Sequence, residues 1–75
     1  MVHELKTWPA PFEAMRQGRK THEIRRGDRP FQEGDTLWLR EYDPATKSYS
    51  GRAMIWDVTY VTQGGEWGLP PDIVV

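Results

Sequence analysis

The stretch that decides the fold is Arg52-Ala53-Met54-Ile55-Trp56-Asp57-Val58-Thr59-Tyr60-Val61-Thr62. Its side chains alternate with a period of two, which is the repeat of a β-strand and not of a helix. Met54, Trp56, Val58 and Tyr60 share one face, while Ala53, Ile55, Thr59 and Val61 share the other. Both faces are largely apolar, so this reads as a long, central strand beginning at Tyr49 or Arg52 and ending at Thr62. Gly64-Gly65 stops it.

Working outward, Asp43-Pro44-Ala45-Thr46-Lys47 is hairpin punctuation, with proline where a turn requires φ near −65°. Before it, Thr36–Tyr42 is a strand with Leu37 and Leu39 facing inward. Phe31 follows a polar loop through Gly27, Asp28 and Pro30, and plugs that loop into the core. Thr21–Arg26 also alternates: His22 and Ile24 lie on one face, and Thr21, Glu23 and Arg25 on the other. Pro9-Ala10-Pro11 opens a helix of about two turns, because a first-turn proline lacks only an N–H with no helical partner. Phe12 and Met15 share its buried stripe, and Gly18 suits the left-handed position after its end. Val2–Lys6 reads as a first strand with Val2 and Glu4 opposite His3 and Leu5. Asp72–Val75 reads as a clipped last one. The expectation is α+β: about five strands with one short helix near the N-terminus, curled into a small β-barrel whose opening the helix covers.

Composition bounds the rest. Seventy-five residues suit a single domain, residues 1–75. Ten Lys and Arg against eleven Asp and Glu leave a formal charge of −1, so overall charge does not point to a polyanion. Nine aromatics, four of them Trp, exceed what a disordered chain carries, and Trp38 and Trp56 in mid-strand are read as core. The absence of Cys excludes disulfides, thiol catalysis and cysteine zinc sites. His3 and His22 lack an evident third ligand, so no metal and no cofactor is expected, and His22 is read as a packed or boundary residue. With no apolar run near the ~20 residues of a membrane span, a cytoplasmic monomer with no membrane contact is expected.

Charge is concentrated locally. Arg16, Arg19, Lys20, Arg25, Arg26 and Arg29 occur within fourteen residues that hold only two acids, Glu23 and Asp28. Inside that segment lies Gly18-Arg19-Lys20-Thr21-His22-Glu23-Ile24-Arg25. Glu23 and Arg25 leave one strand face, and Lys20 reaches over it from the helix end. A carboxylate would hold two cations together there and accept a hydrogen bond from an amino group. The guanidinium offers a planar fork to a phosphate or a base edge.

The pattern Gly-x-Lys-x-x-Glu-x-Arg, complete as Gly18, Lys20, Glu23 and Arg25, resembles the signature of the ASCH domains, a branch of the PUA-like superfamily. His3–Pro9, Arg29–Asp35, Leu39–Pro44 and Gly64–Leu69 resemble one subfamily of that group, made of small bacterial and phage proteins of unknown function. The resemblance implies a PUA-like β-barrel with Lys20, Glu23 and Arg25 in a cleft that Lys6 and Arg40 border. It also implies RNA or a modified nucleoside as ligand. Trp8 and Trp67 are the candidates to stack a base. Some relatives look like small amidohydrolases acting on N4-acetylcytidine through a Lys, a Thr three residues later, and a further Glu. Here Glu23 occupies the Thr position, so this alternative leaves Glu23 and Glu66 to act on water with Lys20 stabilising an oxyanion. A third alternative is a phage protein-interaction module. Relatives continue with a longer final strand, so a protein partner adding a strand beside Ile73-Val74-Val75 would complete the barrel.

Overall fold

A computed structural model describes residues 1–75. Five strands and one helix follow in the order β1 (Val2–Thr7), α1 (Pro9–Arg16), β2 (Arg25–Arg26), β3 (Thr36–Asp43), β4 (Ser48–Asp57) and β5 (Ile73–Val74), with a 3-10 turn at Glu66–Gly68 before β5. This is the expected α+β composition.

β1 alternates strictly. His3, Leu5 and Thr7 are buried, while Val2, Glu4 and Lys6 face outward. It runs parallel to β3, with Val2 opposite Thr36 and Thr7 opposite Glu41. Parallel neighbours need a crossover, and α1 lies within it. Trp8 is extended at the N-cap, Pro9 opens the first turn, and Gly18 takes φ +78° just past the end, a conformation costly for any residue with a Cβ. Phe12 and Met15 point from α1 onto the sheet. Met15, Leu5, Leu37 and Leu39 form the core, with Phe31, Met54, Trp56 and Val58 against it.

β4 pairs antiparallel to β3, so β3 is the central strand and β4 an edge. This corrects the reading of the Arg52–Thr62 run as central. The pairing ends at Asp57, Ile55 is 64% exposed, and the chain then turns away through Val58, whose N–H donates to Asp35 O. Trp38 is corrected as well. It lies on the outer face of β3, exposed, with the Arg40 guanidinium 5.3 Å from its ring. Only Arg25 and Arg26 of the expected Thr21–Arg26 strand pair, because their partner β5 offers only Ile73 and Val74.

The strands form two sheets, β1-β3-β4 and β2-β5, and not a closed barrel. Thr62 and Val75 exchange backbone hydrogen bonds of 2.8 and 3.1 Å, which ties the chain leaving β4 to the end of β5. Between β1 and β2 the link is made by side chains. Arg25 Nη2 donates to Lys6 O at 2.6 Å, and Arg29 Nη1 to Glu4 O at 3.1 Å. These guanidiniums satisfy carbonyls on the edge of β1 that no strand covers. No helix is long and apolar enough to cross a membrane.

Candidate functional site

The two sheets enclose a cavity of about 300 Å³. Leu5 from β1, Leu37 from β3, Trp56 from β4, Phe31, Val58 and Val74 give it apolar walls. His22, Glu23, Arg25, Asp57, Thr59 and Thr62 supply polar groups. This combination of apolar walls and a few convergent polar groups is typical of small-ligand sites. A second cavity of about 190 Å³ lies at the start of α1, lined by Lys6, Thr7, Trp8, Pro11, Glu23 and Arg25. Glu23 and Arg25 line both and so form the partition between them.

Local backbone chemistry positions the partition. The N–H groups of Arg19 and Lys20 both donate to Ala14 O, folding the chain back at the end of α1. Lys20 Nζ then reaches His22 O and lies 3.6 Å from Glu23 Oε1. Arg25 Nη2 lies 3.5 Å from Glu23 Oε2. The carboxylate is thus held between two cations, all three side chains being half-buried to mostly buried. These distances are loose, so the oxygens keep lone pairs for a further donor. Arg25 Nη1 has no protein partner, although Nη2 has two.

Of the residues singled out by sequence, Lys20, Glu23 and Arg25 are brought together, and Lys6 and Trp8 line the smaller cavity beside them. Lys6 has no carboxylate partner; its ammonium sits 4.4 Å from the Tyr42 ring centroid. Arg40 lines neither cavity. It pairs with Glu4 at 2.9 Å and stacks 3.8 Å from the Tyr49 ring on the outer face. Trp67 is 94% exposed on the loop before β5 and lines neither cavity. Glu66 closes that same loop by accepting from Gln63 N–H at 2.7 Å, and it does not reach Lys20 or Glu23. β5 is already bonded on both sides, to β2 and, through Val75, to Thr62.

His22 is exposed at the mouth of the larger cavity and is not a packed residue. His3 lies elsewhere. It is buried, its Nε2 is 2.8 Å from Asp35 Oδ2, and its ring meets Phe31 at 4.6 Å. Asp35 also accepts from Gln32 N–H at 3.1 Å and from the α-amino group at 3.3 Å. The His3 hydrogen bond is the main cause that lowers the Asp35 pKa below its ordinary 3.8, against an opposing cost of burial. Elsewhere on the surface, Arg16 and Arg52 hydrogen-bond the Glu13 carboxylate and hold its pKa at about 2.

Sequence reasoning missed Thr7, Phe31, Asp57, Thr59 and Thr62 as cavity residues. No local signal marks them, since each reaches its cavity through pairings between distant segments.

Among known proteins, the chain is 33% identical over 66 residues to a protein of Escherichia phage P2 described as "Uncharacterized 12.9 kDa protein in GpA 3'region". The match covers 88% of this chain and 59% of that relative, so the chain spans about three fifths of the phage protein's length. A family model described as "Domain of unknown function (DUF3850)" matches residues 2–75. With nearly its whole length accounted for, the chain belongs to the DUF3850 family.

Proposed function

We propose that this chain is an RNA- or nucleotide-binding module. Its ligand enters the larger cavity and is read there by Glu23 and Arg25. The observation that carries the reading is the meeting of Lys20, Glu23 and Arg25 on the wall of a cavity that otherwise presents Phe31, Trp56 and aliphatic side chains. A flat, apolar ring with an amino group and a carbonyl at its edge matches such a site. The walls take the ring, Glu23 accepts from the amino group, and Arg25 Nη1 donates to the carbonyl. About 300 Å³ is within the range of small-ligand pockets and is ample for one base.

We also place the fold with the ASCH branch of the PUA-like superfamily, as an open form of that barrel. Two features support this. The complete Gly18, Lys20, Glu23, Arg25 signature falls on the cavity, and the two sheets surround it with only the β1–β2 seam bridged by side chains.

The test is a titration with short single-stranded RNA across a range of salt concentrations. Affinity falls steeply with added salt. The Lys20→Ala, Arg25→Ala double variant reduces the log–log slope by about 1.4 if both cations meet phosphates, at roughly 0.7 per single-strand contact. Salt-insensitive binding, or none at micromolar protein, rejects the proposal.

A further inference from the structure

We infer that the smaller cavity is an oxyanion subsite that takes a phosphate group. The ligand of this protein is then a phosphorylated nucleotide unit, with its base and its phosphate on opposite sides of the Glu23–Arg25 partition. The inference rests on the base-binding reading above for the ligand as a whole, but the subsite stands on observations of its own.

The first is the donor set. Lys6, Thr7, Trp8, Pro11, Glu23 and Arg25 line this cavity. Lys6 has no carboxylate partner, and Arg25 Nη1 is free. The one acidic group, Glu23, is already shared by Lys20 and Arg25, so the local charge remains positive. The second is an unpaired side chain. Thr7 is 3% exposed and lines this cavity, yet its Oγ1 has no hydrogen-bond partner. Arg25 Nε is likewise buried and unpartnered. Leaving such groups unpaired is costly for a fold this small, and a hydroxyl and a guanidinium N–H can both donate to a phosphate oxygen. The third is the helix. Trp8 gives α1 no side-chain cap, and Pro9 and Pro11 carry no N–H. Ala10 N–H, with the positive end of the peptide dipoles, therefore faces the start of the helix uncapped.

Each feature alone is ordinary. Together they place two free cations, an orphaned hydroxyl and an uncapped helix start around one small cavity. That cavity shares its wall with a larger one suited to a base. A nucleotide joins groups of these two kinds, and a nucleoside does not.

The experiment is an amide-shift titration of the full chain with inorganic phosphate, the four ribonucleosides and their 5′-monophosphates. At least one monophosphate binds about tenfold more tightly than its nucleoside, the gain expected for one charge-assisted contact. It also shifts the amides of Lys6, Thr7 and Ala10. Lys6→Gln and Thr7→Val each reduce that ratio while leaving nucleoside affinity unchanged. Equal affinity for nucleoside and monophosphate, with no shifts at Thr7 or Ala10, overturns the subsite and leaves the base cavity standing. Shifts there with phosphate, but no response to any nucleoside, support the subsite and reject the base reading. No response to any ligand overturns both. A short oligoribonucleotide run alongside separates two sources of the same group. Binding tighter than the monophosphate assigns the subsite to an internal phosphodiester, and weaker binding assigns it to a free nucleotide.

Discussion

Leu39→Ala is the most informative perturbation of the fold. Leu39 is wholly buried at the middle of the central strand. It is flanked in register by Leu5 on β1 and Met54 on β4, and it shares the core with Met15 of α1. Removing a buried leucine side chain costs the transfer energy of its methyl groups plus the cavity left behind, in total about 3–5 kcal/mol. Both flanking strands are hydrogen-bonded to β3 and cannot close in, whereas the flexible Met15 and Met54 refill part of the space. The expected loss is therefore near the lower end, about 3 kcal/mol. A chain of this length has a total stability on the order of 4–11 kcal/mol. With a urea slope of roughly 1 kcal/mol/M, the midpoint falls by about 3 M in an equilibrium urea melt followed by tryptophan fluorescence. Ile55→Ala on the exposed outer face serves as control and changes stability by less than about 0.5 kcal/mol. Should the Leu39→Ala chain not fold, Leu39→Val reads the same position at about 1 kcal/mol. A loss below about 1 kcal/mol for Leu39→Ala, or one no larger than the control, refutes the assignment of β3 as the strand that organises the core.

Two further outcomes follow from the structure. Gly64→Ala prevents the chain from closing onto the cavity rim, because a Cβ there would stand 2.2 Å from Pro71 O and 2.9 Å from Ile73 O, both backbone atoms. Amide exchange at Thr62 and Val75 rises strongly, and unchanged protection there refutes the argument. Stability also declines on acidification. Glu13 and Asp35 both have folded pKa values below their ordinary ones, so their stabilisation is present near neutrality. It is lost as pH falls, for Glu13 between about 4.5 and about 2. Urea midpoints measured from pH 6 to pH 2 decline for the parent chain and decline less for Glu13→Gln with Asp35→Asn. Parallel curves would contradict the assignment.

Local patterns were legible in the sequence, and pairings between distant segments were not. The Pro9–Gly18 helix and the alternation of β1 rest on steric rules that act within a few residues, and both stand where they were read. Lys20, Glu23 and Arg25 were also close enough in sequence for their meeting to be anticipated. β4 was misread as central because period-two alternation tells which side chains share a face, not how many strands lie beside it. Thr21–Arg26 alternated over six residues, but strand formation there needed a partner, and β5 supplies only two positions. Arg40 looked like a cleft cation until Glu4, thirty-six residues away, proved to be its neighbour across the parallel pair. The smaller cavity depends on β1, α1 and the Glu23–Arg25 segment converging, which no single window reveals.

The side-chain link between β1 and β2 has a mechanical consequence. A strand ladder fixes its spacing at about 4.8 Å, and widening it means breaking a row of bonds at once. Arg25 and Arg29 instead hold their carbonyls at the tips of long, rotatable stems. That side of the molecule can widen or narrow one rotamer at a time while every strand keeps its register. Substitutions at those two positions are thus a way for evolution to resize the enclosed space without redesigning the sheets.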